Sequence, residues 1–108
     1  MSSDFYDKEL TAATILEEGV PRASTDEIPA SLALNYDGGD DLKSVIINDD
    51  EYTLEEFIVH ADAWASEDPS PFAAQWRAGD FDNLYPSMRA VDVDGVLRSI
   101  VEHVIDLH

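Results

Sequence analysis

The sequence predicts an α+β fold: a single, mostly helical domain of three to four helices with one central β-hairpin or small antiparallel sheet. Three observations lead to this prediction. Several segments repeat apolar residues at the period of an amphipathic helix. One short central segment is rich in β-branched residues and is flanked by turn residues. Finally, 108 residues with 44% hydrophobic content suit one domain with its own core, expected to span residues 1–108.

The first helix is predicted over residues 4–18. Its apolar stripe is expected to run along Tyr6, Leu10, Ala13 and Leu16 or Glu17, widened by Phe5 and Ile15. Gly19 and Pro21 are expected to end this helix, because glycine is common just after a last helical turn and proline cannot continue one.

A loop and a first strand are expected next. Residues 21–31 contain two prolines and small polar residues without a period, which is typical of a loop. Residues 31–36 predict a strand whose Leu32 and Leu34 face inward. The two glycines within residues 37–40 predict a turn after this strand.

The central strand is predicted over residues 43–48, where the run Val-Ile-Ile supplies β-branched side chains. The Asn-Asp-Asp sequence of residues 48–50 predicts a hairpin turn, after which the chain returns through residues 51–53. This hairpin is the expected centre of the sheet.

The second helix is predicted to begin with a capping box. Thr53 can accept a hydrogen bond from the amide of Glu56, and the Glu56 carboxylate can accept one from the amide of Thr53. The helix is predicted over residues 54–66. Its buried face is expected to contain six apolar residues: Leu54, Phe57, Ile58, Ala61, Trp64 and Ala65.

Two further helices are predicted in the last third of the chain. Ser70 as N-cap and Pro71 at the first helical position predict a helix that ends at Gly79. Residues 80–86 are expected to form a loop whose larger apolar residues pack inward: Phe81, Leu84 and Tyr85. The last helix is predicted over residues 92–107. Its apolar stripe consists of Val93, Val96, Leu97, Ile100, Val101, Val104 and Ile105.

Net charge is the property of the sequence that most restricts which partners the protein can bind. Twenty-four acidic residues against six lysines and arginines give a formal net charge of -18. This charge repels nucleic acid and anionic membranes and attracts basic protein surfaces, so neither nucleic acid nor a membrane is expected as a partner. The chain has no cysteine and no apolar run long enough to cross a bilayer, and its acidic first ten residues are not expected to be a signal peptide. A soluble, cytoplasmic protein without a cofactor is expected.

The run Ala-Val-Asp-Val-Asp-Gly-Val-Leu at residues 90–97 resembles the first motif of the haloacid-dehalogenase-like phosphatases. The resemblance implies a strand end, followed by a long chain that brings a lysine and further acids to a magnesium ion. Only eleven residues follow Leu97, and no lysine follows Lys43. Asp92 or Asp94 as the N-cap of the last helix explains the same sequence. No catalytic residue is therefore assigned, and the protein is not expected to be an enzyme.

A dedicated metal site is not expected either. The acidic clusters do not match an EF-hand loop: counted from Asp80, the sixth position is Tyr85, where such a loop requires glycine. The three histidines, His60, His103 and His108, have no ligand spacing. His60 is interpreted as a residue at the edge of the core.

The densest negative charge lies between residues 37 and 56. We predict that a partner binds in this region through nine carboxylates: Asp37, Asp40, Asp41, Asp49, Asp50, Glu51, Glu55, Glu56 and Asp62. Carboxylates can occupy a site that has evolved for nucleic-acid phosphates, because arginine and lysine donors pair with either group. Acids on one face of a strand lie about 6.6 Å apart, and acids four residues apart on a helix about 6 Å apart.

The leading hypothesis is a non-enzymatic inhibitor that binds a basic surface of another protein as a nucleic-acid mimic. Phage antagonists of restriction or CRISPR systems act in this manner. A first alternative is a small adaptor or regulatory domain of a halophilic organism, acidic for salt tolerance alone. A second alternative is an immunity protein or antitoxin. A homodimer formed through an apolar strip beside the hairpin is also considered.

Overall fold

A computed structural model of the chain describes residues 4–22, 32–39 and 41–106. For residues 4–6 and 20–22 it describes the backbone only. Within these ranges it confirms an α+β fold of five helices and a three-stranded antiparallel sheet. In chain order the elements are α1 (Asp4–Arg22), β1 (Leu32–Tyr36), β2 (Leu42–Ile47), β3 (Asp50–Thr53), α2 (Leu54–Glu67), α3 (Pro71–Ala78), α4 (Phe81–Leu84) and α5 (Ala90–Asp106).

The sheet has the order β1-β2-β3, and both strand pairs are antiparallel. Asn48 and Asp49 form the two-residue turn between β2 and β3, with φ angles of 53° and 70°. Two positive φ angles in a two-residue turn are typical of the hairpin turns that match strand twist, and Asn and Asp tolerate them better than most residues. The predicted hairpin is therefore confirmed, with its central strand one residue earlier than expected.

The two faces of the sheet differ in chemistry. The inner face carries Val45 and Ile47, which are buried, and Tyr52, which pairs with Val45 across the hairpin. Leu32 and Leu34 of β1 extend this face and are half-buried against the core, as the sequence predicted. The outer face carries polar residues, and it provides part of the candidate functional site described below.

Helix α2 has the predicted capping box and the predicted buried face. The Thr53 hydroxyl accepts from the Glu56 amide at 3.1 Å, and a Glu56 carboxylate oxygen accepts from the Thr53 amide at 2.9 Å. All six apolar residues expected on the buried face are buried: Leu54, Phe57, Ile58, Ala61, Trp64 and Ala65. The local capping signal and the apolar period therefore determine this element together.

Helix α3 also follows its sequence signals, because Ser70 caps it, Pro71 opens it and Gly79 ends it in the left-handed conformation with φ 75°. The loop predicted for residues 80–86 is wrong in part, since it contains the single turn α4. Leu84 donates its amide to the Asp80 carbonyl at 3.0 Å, and Phe81 and Leu84 are buried on the same side of this turn. The burial of these two side chains stabilises a turn too short to form alone.

Two predictions for α1 are wrong. The helix does not stop at Gly19 but continues to Arg22, with Pro21 in its last turn. Its predicted apolar stripe is wrong at Leu10, which is 56% exposed, whereas Ile15 and Leu16 are buried as predicted and Ala13 packs against the core. The buried residues of its described part are Thr11, Ala12, Ile15, Leu16 and Gly19.

Close packing of α1 on α5 explains the role of Gly19. A Cβ added to Gly19 would lie 2.7 Å from Cδ2 of Leu97, which is fully buried. Gly19 therefore serves as a point of close approach between two helices, and its role is not that of a helix stop.

Helix α5 begins at Ala90, two residues before the predicted start, and buries most of its predicted stripe: Val93, Val96, Leu97, Ile100, Val101 and Val104. Ile105 is half-buried at its edge. The buried side chains of the helices and the sheet form one hydrophobic cluster. Since α2 contacts α1, α3, α5 and the sheet, it is the central element of this core.

Candidate functional site

The sheet divides the predicted acidic residues into two groups. Asp37 and Asp41 lie in the connection between β1 and β2, whereas Asp49 and Asp50 lie at the turn between β2 and β3. All four are exposed. Because β2 has six residues, its two ends are roughly 17 Å apart. Asp40 lies outside the described residues.

The start of α2 lies at the same end of the sheet as Asp41. The strand register pairs Thr53, the N-cap of α2, with Ser44 near the start of β2. The first residue of α2 and Asp41 also line one shallow depression beside α1. We call the exposed acids at this end, Asp37, Asp41 and Glu55, the loop cluster. We call Asp49 and Asp50 at the opposite end the tip pair.

Glu51 belongs to a hydrogen-bonded network on the outer face of the sheet. Its carboxylate accepts from the Ser44 hydroxyl at 2.6 Å and from the Asn35 amide at 3.2 Å. Asn35 also donates to the Ser44 hydroxyl at 3.1 Å, and Ser44 is 1% exposed. These hydrogen bonds, with that from Ser44 the stronger, hold the pKa of Glu51 below its usual value. Glu51 is therefore a fixed, ionised carboxylate on the outer face of the sheet.

Replacing Ser44 with alanine is expected to raise the pKa of Glu51, because the variant loses the largest contribution to its lowering. A lowered carboxyl pKa stabilises the fold above the unfolded-state pKa, and this stabilisation disappears as the pH falls through the folded-state value. An NMR titration of the side-chain carboxyl carbon of Glu51 measures the change. Ser66→Ala is a suitable control, since Ser66 donates only to a carbonyl within α2. An unchanged Glu51 titration in Ser44→Ala contradicts the prediction.

Two other predicted partner-binding residues have roles inside the fold. The Glu56 carboxylate completes the capping box of α2. A carboxylate oxygen of Asp62 accepts from the Trp76 indole at 2.6 Å and from Lys8 at 3.1 Å. Asp62 thus joins α1, α2 and α3, and its carboxylate is already engaged. Five of the nine predicted residues remain as described carboxylates that are exposed and unpaired within the described part of the chain: Asp37, Asp41, Asp49, Asp50 and Glu55.

Few positive charges offset this acidity. Of the five basic side chains that the structure describes, Lys8 binds Asp62, Arg89 binds Asp92, and Arg77 donates to the backbone carbonyls of Ala65 and Asp68. Lys43 and Arg98 form no hydrogen bond or ion pair among the described residues, and both are exposed; the charge of Lys43 contributes to the lowered pKa of Glu51. The negative field of the exposed acids is therefore not neutralised within the described part of the molecule.

The aspartates of the phosphatase-like motif lie within a helix. Because α5 begins at Ala90, neither Asp92 nor Asp94 is its N-cap, and this expectation is wrong in detail. Asp92 occupies the third helical position, and its carboxylate accepts from the backbone amide of Arg89 at 3.1 Å and from its guanidinium at 3.3 Å. These contacts, the amide first, lower the pKa of Asp92. The motif has a capping role and does not stand at a strand end.

Two histidines are described, and neither belongs to a metal-binding cluster. His60 is half-buried, with its ring centroid 5.5 Å from that of Tyr52 in an edge-to-face arrangement, which confirms its place at the edge of the core. His103 is half-buried on α5, and His108 lies outside the described residues. In ranges 4–22, 32–39 and 41–106, no three acidic or histidine side chains are placed to hold a metal ion.

The structure also shows a groove that the sequence did not predict, between the C-terminal half of α2, the start of α3 and α5. It has two adjoining parts of about 200 and 210 Å³, which share Trp64, Asp68 and Ser99. The first part is mainly apolar, with Phe72, Val91, Gly95 and Val96 in its walls. The second is mainly polar, with Glu67, Glu102, His103 and Asp106. We call this feature the helix groove.

Gly95 is the one residue from which the sequence could have indicated this groove. Glycine inside a helix costs about 1 kcal/mol relative to alanine. At Gly19 the contact with Leu97 explains that cost, but a Cβ at Gly95 would have no described neighbour within 4 Å. Gly95 therefore leaves open space on the surface of α5, and no close contact among the described residues explains why a glycine is present there.

We compared the chain with protein-family models, with curated proteins and with solved structures, and none of them matches it. The helices described here are each too short or too polar to cross a membrane.

Proposed function

We propose that the protein is a non-enzymatic inhibitor that covers a basic, nucleic-acid-binding surface of another protein with its exposed carboxylates. The observation that carries this proposal is the uncompensated charge of the sheet region. The loop cluster and the tip pair are exposed at opposite ends of β2, while most described basic side chains are engaged in internal contacts. The proposal places the protein in the cytoplasm, where such targets occur.

The geometry of the sheet suits this role. Glu51 stands between the two groups, held by Ser44 and Asn35, so it loses little side-chain freedom when a partner binds. Negative charge at both ends of β2 and on the outer face of β3 covers roughly 17 Å. Arginine and lysine side chains that normally bind successive phosphates can pair with such a row of carboxylates.

Capture from an extract of the native host tests the proposal. Wild-type protein is immobilised, and bound proteins are eluted with duplex DNA. We expect a captured protein that DNA displaces, whose binding weakens steeply between low and physiological salt. Reversal of the tip pair, Asp49→Lys with Asp50→Lys, is expected to lower its affinity at least about tenfold, as charge reversal at a complementary interface costs several kcal/mol.

A variant with the same change in net charge serves as the control. Glu17→Lys with Asp82→Lys alters the charge equally on α1 and α4, away from the tip pair, and should retain most of the binding. Equal loss in both variants contradicts a defined interface on the sheet. Capture of a toxin that DNA does not displace supports the role of an immunity protein or antitoxin instead.

One observation favours salt adaptation as a second candidate. Exposed acids also occur away from the sheet, among them Glu67, Asp82, Glu102 and Asp106. A domain acidic for salt tolerance alone should unfold in dilute buffer and refold near molar salt, because its carboxylates repel one another when unscreened. The inhibitor should be folded in dilute buffer. Circular dichroism over a salt series distinguishes the two functions.

A further inference from the structure

We propose that the helix groove is a second binding site, for a segment of a partner protein that carries an apolar side chain and an arginine or lysine about 10 Å apart. This inference does not depend on the proposed inhibitor function, because the groove is built from helices and not from the sheet. Helix α2 separates the two surfaces: Glu55 lies in its first turn, and Glu67 of the groove is its last residue.

The apolar part of the groove fits the apolar side chain. Val91 is 68% exposed at its rim, and Phe72 is half-buried in its wall. Between them, Gly95 leaves space in which an added Cβ has no described neighbour within 4 Å. Apolar surface that a monomer leaves in a concave position is stabilised when an apolar side chain covers it.

The polar part of the groove fits a cation. Glu67, Glu102 and Asp106 line this part together with His103, and no arginine or lysine is among its described lining residues. Arg98, the exposed cation of α5, is not among the lining residues. From Gly95 to Glu102 the helix rises about 10 Å, which sets the separation of the apolar and basic side chains of the ligand. Charge complementarity therefore selects a basic peptide segment over an acidic one or a second copy of this acidic chain.

Trp64 joins the two parts of the groove. It is 4% exposed and lines both. Its indole nitrogen is buried and has no hydrogen-bond acceptor among the described residues, in contrast to Trp76, whose indole donates to Asp62. Buried indole N–H groups usually have an acceptor. A backbone carbonyl of a bound segment provides one, after a small adjustment of the ring.

Selection from a random library of displayed 16-residue peptides tests this site. Wild-type protein is the target, and the enriched peptides are then measured against Gly95→Phe, in which the added side chain fills the apolar part. We expect enriched peptides with an apolar residue and an arginine or lysine. Their affinity should fall at least about tenfold in Gly95→Phe and in the double variant Glu102→Lys with Asp106→Lys. Gly39→Phe is the matched control, since Gly39 also has open space but lies in the loop after β1.

NMR distinguishes binding in the groove from binding elsewhere. The chain has two tryptophans, so the indole N–H region has two signals. An enriched peptide should shift the signal of Trp64 and leave that of Trp76 in place. The proposal is overturned if selection enriches no peptide, if the enriched peptides lack a basic residue, or if neither groove variant weakens them. Self-association of the wild type that Gly95→Phe abolishes also overturns it, in favour of a second copy as occupant.

Discussion

Replacing Trp76 with alanine is expected to lower the free energy of unfolding by about 3–5 kcal/mol, the usual range for a large aromatic side chain lost from a core. Trp76 is 2% exposed, and its ring meets that of Phe81 edge-to-face with centroids 5.3 Å apart. The substitution also removes the indole donor of Asp62. Since small domains have about 5–15 kcal/mol of stability in total, this single change removes a large share of it.

Urea denaturation followed by circular dichroism measures this effect. Urea is preferable to guanidinium chloride, because guanidinium is a salt and screens the repulsion among the carboxylates. Two conservative variants separate packing from hydrogen bonding. Trp76→Phe loses the bond to Asp62 and should cost about 1 kcal/mol more than Trp64→Phe, whose indole has no described acceptor. Equal costs for the two phenylalanine variants contradict a stabilising bond between Trp76 and Asp62.

Replacing Gly19 with valine is expected to cost about 3 kcal/mol, the upper part of the range for overpacking a core. The first added carbon would lie 2.7 Å from Cδ2 of Leu97 and 3.4 Å from a carboxylate oxygen of Asp94. Leu97 is fully buried, so its side chain can move only by displacing other core atoms. Either α1 shifts away from α5 or Leu97 adopts a strained rotamer, and both lower the free energy of unfolding.

The same glycine substitution on two helices provides an internal comparison. Gly19→Ala should destabilise the protein, because the clash with Leu97 exceeds the gain in helix propensity. Gly95→Ala should stabilise it by about 1 kcal/mol, because an added Cβ there has no described neighbour within 4 Å. Thermal unfolding of both variants gives the sign of each change. A stabilising effect at Gly19 shows that α1 and α5 are not in close contact at this point.

The sequence correctly predicted those helices that are determined by interactions between neighbouring residues. The capping box of Thr53 and Glu56, the Ser70 and Pro71 start of α3, and the apolar period of α5 each act within a few neighbouring residues. These elements were therefore predicted within about two residues. The high density of acids and the scarcity of bases are also properties of the sequence alone, and the proposed inhibitor function rests on them.

Tertiary packing decided the rest. From the sequence, Gly19 was expected to end α1. Its structural role is instead set by its contact with Leu97, seventy-eight residues later in the chain. From the sequence, Asp62 was expected to be a free surface carboxylate. In the structure it accepts hydrogen bonds from Lys8 and from the indole of Trp76. The helix groove exists only because α2 and α5 lie side by side, so no single segment contains its pattern. Composition and short-range periodicity thus determined the net charge and most of the helices and strands. Contacts between distant residues determined which carboxylates stay free, because burial and pairing are properties of the folded chain.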